Sequence, residues 1–448
     1  MLDGNEWVLA HGVGSGRDLP IPPEYAIIGA SWALVISFGV AAFAWRRSIF
    51  RGDESGVALP SWVTSLVDSP VTQAVLRLVG LVCFGWFAAS LILGKDLLTN
   101  PAFGSFYVLL WIGIVPLALL LGPVWRWLSP MRTVHLGLSR LLGVPPGEGL
   151  RSYPSRWGLW PGAVGLFAFV WLELVYPRNT ELFALQTWVG LYVVLMLVGS
   201  ALFGAQWFAK ADPFEVFSAL VARMSPFGRR TDGLVVVRNP LANLDAVPPL
   251  PGLVAVVATL FGSTGFDSFS ESPYWTQLSL EYGINGVLVP TLLLLGFVLL
   301  VGLSLSGAVM AVGGLGHLDL DLDRRRLPAL FAHSIVPIII GYFIAHYLSL
   351  LVSVGQQTVG QLSDPLGTGA DLLGTADLGA NTFFSFHVTA LAVTKVLAVV
   401  TGHLLAAFAA HDRAVRVLPK GRELVGQLPL LLVMIFFTAG GLYLLLSS

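Results

Sequence analysis

Residues 327–355, LPALFAHSIVPIIIGYFIAHYLSLLVSVG, and residues 382–413, TFFSFHVTALAVTKVLAVVTGHLLAAFAAHDR, decide how this chain is read. Each is apolar enough to cross a bilayer as a helix, yet together they carry His333, His346, His387, Lys395, His403 and His411. Ionisable groups at membrane depth are expensive, so they mark a functional site by default.

The surrounding chain has the same apolar character. Of 448 residues, 55% are hydrophobic and 11% charged, and the mean hydropathy is +0.78. A helix needs about 20 residues to cross the hydrocarbon. Ten spans are predicted, over 25–45, 72–94, 104–125, 158–177, 183–205, 250–265, 286–310, 328–352, 383–409 and 425–446. The fold class is therefore an all-α, polytopic integral membrane bundle, read as one transmembrane domain over 1–448. Span six is the least regular, because its short apolar run ends in GSTGFDSFSESPYW at 262–275. A broken or re-entrant helix is the alternative there.

Lys and Arg set the orientation. Arg46, Arg47 and Arg51, then Arg126, Arg132 and Arg140, Lys210 to Arg238, Arg324 to Arg326, and Arg413 to Arg422 all fall in loops on one side. Only Arg17, Lys95 and Arg178 fall on the other, which puts both termini outside by the positive-inside rule. A multi-pass location in the plasma membrane follows, with the lipid bilayer and a small-molecule substrate as partners. The net charge of −1 offers no basic face to nucleic acid. The single cysteine, Cys83, rules out an internal disulfide and reads as a buried structural thiol. The opening MLDGNEWVLA has no apolar core, so no cleavable signal is read in it.

Among the connections, 206–249 is the long cytoplasmic loop. Phe214, Phe217, Leu220 and Val221 within it have the spacing of a short interfacial helix. The extracytoplasmic loops 263–283 and 353–382 roof an outward-facing polar pocket. His135 and His317 read as solvated loop histidines, and Asp319, Asp321 and Asp323 as an acidic turn.

The intramembrane histidines fall into two layers. Thirteen residues at about 1.5 Å each put His346 roughly 20 Å outward of His333. Span nine runs the opposite way, so His387 pairs with His346 outside and His403 with His333 inside. Two such layers invite a haem-binding redox subunit. On each helix, however, the two histidines point to nearly opposite sides, which disfavours that reading.

The outer layer is the better site. His346 and His387, with His11 from the segment before span one, are the candidate metal ligands. Glu173, Glu271 and Asp364 lie at the same level, as does Asp267, which with Lys395 near the midplane makes up the candidate catalytic groups. Imidazole with carboxylate suits a divalent transition metal, Zn or Cu. The plainer alternative has these histidines bonded to backbone at a polar helix interface. Lys395 reads equally as a proton-handling group or a structural ion pair. A transporter or permease for a metal ion or small solute, coupled to protons through these groups, is the other functional alternative.

Several segments carry a resemblance. HGVGSGRDLPIP (11–22), VPLALLLGPVWRWLSPMRTVH (115–135), DPFEVFSALVARMSPFGRR (212–230), GSTGFDSFSESPYW, GYFIAHYLSLLVSVGQQ (341–357), SDPLG (363–367) and FHVTALAVTKVLAVVTGHLLAAFAAHDRAV (386–415) are spread along most of the chain. They are similar to a group of actinobacterial multi-span membrane proteins called fenitrothion hydrolases. The resemblance implies a membrane hydrolase of organophosphate triesters in which a metal-activated water attacks phosphorus, with His346 and His387 as ligands. It also implies a place for His11 beside a copper ion, through its ring.

Overall fold

The computed structural model describes residues 15–314, 324–418 and 425–447. Among these, nine helices are long and apolar enough to cross a membrane, and a tenth crossing is a bent pair. They are Pro23–Ala44, Pro70–Leu93, the bent pair Pro101–Leu110 and Ile114–Leu121, Ser155–Leu174, Leu182–Phe203, Leu253–Ser270, Leu288–Ala311, Arg324–Gln361, Val388–Val417 and Leu428–Ser447. We number them spans one to ten. All ten predicted crossings have a helical counterpart, and the protein is an all-α polytopic membrane bundle.

Two expected features change. Span six runs unbroken to Ser270, so residues 263–270 are helix and not loop. Three of its hydroxyls are satisfied within the helix: Ser263 and Thr264 donate to Leu260 and Phe261 carbonyls, and Ser270 to Asp267. A hydroxyl bonded to its own turn avoids the cost of burying an unpaired polar group. Span three carries a π-helical turn at Ser105–Leu110, where Trp111 N–H reaches the Phe106 carbonyl, and its two halves bend by 41°.

The sequence reads as one domain, whereas the chain's contacts form two compact units. Among the described residues, one comprises 56–238 and 350–381, and the other comprises 15–55, 239–314, 324–349, 382–418 and 425–447.

The first unit holds spans two to five around an aromatic core. Trp111 lies 4.4 Å from Phe169 and 4.9 Å from Phe217, centroid to centroid. The expected helix in the 206–249 loop forms at Pro213–Val221, but it is core and not interfacial, since Phe214 to Ser218, Leu220 and Val221 are all buried. Arg132 makes this possible by forking onto Glu215 at 2.6 and 3.0 Å, which neutralises the helix's one acid. Asp212 caps the helix, accepting from Phe214 N–H at 3.0 Å and from Trp125 Nε1 at 3.2 Å. His135 is buried as well, 3.0 Å from the Pro146 carbonyl, and so is not solvated. Three short antiparallel strands, β1 (Val57–Ala58), β2 (Phe227–Arg229) and β3 (Val235–Val237), pair in the order β1-β3-β2. Cys83 is exposed on span two, contrary to the buried role expected of it.

Spans six and eight are the most buried helices of the second unit, with 72% and 78% of their apolar windows covered. Span six meets span seven at Gly262, where an added Cβ would lie 2.7 Å from the Val298 Cα. Span eight meets span nine through Gly341 and Gly402, whose Cβ atoms would fall 2.4 Å from the Ala398 oxygen and 2.5 Å from the Pro337 oxygen. Backbone can approach backbone this closely only where side chains are missing. Asp412, near the end of span nine, accepts from Trp45 Nε1, Ser48 Oγ and the Ile49 and Phe50 amides. Asp245, from the helix Pro240–Asp245, is bonded by Arg413 at 2.8 Å and by Arg416.

Candidate metal centre

Span six presents Asp267 and, four residues on, Glu271 at its C-terminal end. A separation of four residues puts both carboxylates on one face. Span eight, packed tightly against span nine, presents His346. One ligand atom from each of Asp267, Glu271 and His346 lies within 4.8 Å of the other two. Asp267 and His346 are 5% and 4% exposed, and Glu271 is half-buried.

The cluster is hydrogen-bonded outward as well as inward. His346 Nε2 is 2.9 Å from Asp267 Oδ2, and the same oxygen accepts from Tyr347 O–H at 2.7 Å. On the other edge of the imidazole, Ser268 Oγ lies 3.4 Å from Nδ1 and 2.8 Å from the Tyr342 hydroxyl. Two tyrosines and a serine therefore hold the ring and the carboxylate in register, as outer partners of metal ligands do.

Lys395, on span nine, is 3% exposed and interacts electrostatically with Glu271, Asp18 and His346. Asp18 belongs to a short turn, Gly16–Asp18, in which Ser15 and Asp18 form a reciprocal cap. This turn packs on spans nine and ten.

His387 does not join the cluster. It is the residue at which span nine begins, one step before Val388, and it is exposed. Its ring stacks on Phe383 with centroids 4.2 Å apart, and its Nδ1 lies 2.8 Å from the Phe383 carbonyl. The expected pairing of His346 with His387 is thus replaced by His346 with two carboxylates. The helix starts five residues later than predicted, which leaves His387 at its exposed tip. In the inner layer, His333 and His403 each face a carbonyl of the preceding turn, Leu330 and Val399. His11 and His317, and the acidic turn at 319–323, lie outside the described residues.

Glu271 stood only as a candidate at the right level in the sequence. The signal that could have promoted it is the i,i+4 pair with Asp267, visible once 262–271 is read as helix. Glu173 and Asp364 belong to the first unit and are not among the three clustered ligands. Asp364 instead accepts from the Thr368 and Gly369 amides in its own loop, which hold its carboxyl below the usual range.

Comparison with known proteins adds no relative: no family model, no curated protein and no solved structure matches the chain.

Proposed function

We propose that this membrane protein is a metal-dependent hydrolase, with a divalent transition metal held by Asp267, Glu271 and His346. The observation that carries this reading is the convergence of three ligand atoms within 4.8 Å inside the bundle. Two carboxylate oxygens and one imidazole nitrogen suit Zn(II) better than Cu(I), which seeks sulfur. Bound there, the metal would supply Lewis acidity and an activated water. His346 must give up the proton it shares with Asp267 to act as ligand, so metal and proton compete for one site. Tyr347 keeps Asp267 oriented in either state. Lys395 brings positive charge to the same corner and would offset negative charge developing on a phosphoryl oxygen. An organophosphate triester is the substrate class, on the strength of the sequence resemblance, and the plasma membrane the location.

The test is metal content and nitrophenyl phosphotriester hydrolysis in detergent-purified protein. About one Zn per chain, lost together with activity in His346→Ala and Asp267→Asn, is expected. A folded, metal-free wild type that hydrolyses as well as its His346→Ala variant would sink the proposal.

The depth of the charged groups favours a second reading. Lys395, His346 and Asp267 are each 5% exposed or less, as coupling groups of a proton-driven transporter would be. Metal uptake into proteoliposomes that depends on a pH gradient, without hydrolysis, would select it.

A further inference from the structure

The first unit contains a cluster of arginines that the metal centre does not use. Span two crosses the short helix Trp125–Leu128 at Gly80, where an added Cβ would lie 2.0 Å from the Leu128 oxygen. That crossing sets Arg77, one turn earlier, beside Trp127. The Trp127 ring has Arg77 Cζ at 5.3 Å and Arg126 Cζ at 5.4 Å from its centroid. Arg132 and Arg140, from the helix Pro130–Leu141, also act electrostatically on Arg77. Of the four, Arg132 is engaged by Glu215. Arg77 Nη1 is buried with no hydrogen-bond partner among the described residues.

Like charges gathered at one place are costly, and a buried guanidinium N–H without an acceptor adds to that cost. An anion relieves both, and guanidinium forks match phosphate oxygens in particular. The surroundings say what carries the phosphate. Val75 and Leu78 on span two are 54% and 61% exposed, and Leu141, one residue from Arg140, is 84% exposed. A charged cluster beside an apolar outer surface fits an amphiphile. By the distribution of Lys and Arg, all of this lies at the inner face, where basic pockets between spans take anionic headgroups.

We propose that Arg77, Arg126 and Arg140 bind the phosphate headgroup of an anionic phospholipid from the inner leaflet. Trp127 is the platform between two guanidiniums, and the acyl chains run along Val75, Leu78 and Leu141. The proposal does not depend on the metal centre.

The test uses full-length protein, delipidated in neutral detergent, titrated with dioleoylphosphatidylglycerol or dioleoylphosphatidylcholine. Thermal unfolding and native mass spectrometry are the readouts. Phosphatidylglycerol is expected to raise the melting temperature and stay bound, and phosphatidylcholine to do neither. The double variant Arg77→Gln, Arg126→Gln should bind phosphatidylglycerol roughly thirtyfold more weakly, at about fivefold for each cation lost. Arg126→Gln alone, at an exposed position, should show about a fivefold loss and guards against misfolding of the double variant. Equal stabilisation by phosphatidylcholine, or an undiminished response in folded variants, would overturn the proposal. So would inorganic phosphate reproducing the whole shift, since the cluster would then serve a soluble anion.

Discussion

Asp267 and His346 meet at 2.9 Å across two helices although 79 residues separate them in the chain. The contact joins the two most buried spans of their unit. The carboxylate takes a second donor from Tyr347, the residue next to the histidine, so a single helical turn of span eight fixes its position.

Replacing Tyr347 with Phe removes the donor at 2.7 Å from Asp267 and leaves the ring in place. Interhelical hydrogen bonds of this kind contribute about 0.6 to 1.7 kcal/mol in membrane bundles. A fall of that size in unfolding free energy is expected. Metal should still bind, about tenfold more weakly, because an outer partner is lost and not a ligand. Titration followed by competition with a chelator checks the second part.

The Gly402→Ala variant should lose about 1 to 3 kcal/mol of stability, the range for overpacking a close contact. Its new methyl would lie 2.5 Å from the Pro337 oxygen, and backbone cannot yield as a side-chain tip can. Gly39→Ala is the control, since nothing lies within 4 Å of its added Cβ. Thermal melts of both, side by side, separate crossing geometry from a general effect of alanine.

Acid should weaken the second unit through Asp245. Burial alone would raise its pKa, but the hydrogen bond from Arg416 and the charges of Arg413 and Arg416 outweigh it, and the carboxyl is held below 3.8. A depressed carboxylate stabilises the fold above its unfolded value and loses that contribution as pH falls through the folded value. Asp245→Asn should therefore be less stable than wild type at neutral pH, with the gap closing below about pH 4. Melting temperature against pH for the two proteins measures it.

Asp212 should act with the opposite sign in the first unit. Burial, helped by the charge of Glu215, pushes its carboxyl up to about 7 against the donors from Trp125, Phe214 and Glu215. Such a group stabilises fully below its unfolded value near 3.8 and loses that stabilisation as pH rises towards 7. Asn keeps the capping oxygen but does not titrate. Asp212→Asn should flatten the decline in stability between about pH 4 and 7. A decline that persists unchanged in the variant would assign it to another group.

The ten crossings were legible because lipid imposes one requirement on every stretch of some twenty residues, and the requirement is local. The site was less so. His346, Asp267 and Lys395 could be named from cost alone, since each is an ionisable group in or beside a span. Their true grouping depended on where two helices end. Span six continues through GSTGFDS, its hydroxyls at Ser263 and Thr264 bonded back to their own turn, and so carries Asp267 and Glu271 on one helix. Span nine starts only after His387, which strands that residue at the surface. The helix Pro213–Val221 was recognised by its apolar spacing, but its burial turned on Arg132, a partner 83 residues away that no local pattern encodes.

The four donors gathered by Asp412 bear on how the second unit can move. They tie the segment following span one to the C-terminal part of span nine, and the His411 ring, 3.0 Å from the Trp45 carbonyl, adds a fifth tie. Hydrogen bonds to a charged group contribute roughly 1.5 to 3 kcal/mol apiece, so prising these two tips apart would mean breaking several at once. Any breathing of this unit that keeps these bonds must then hinge at this knot and open at the opposite ends of spans one and nine.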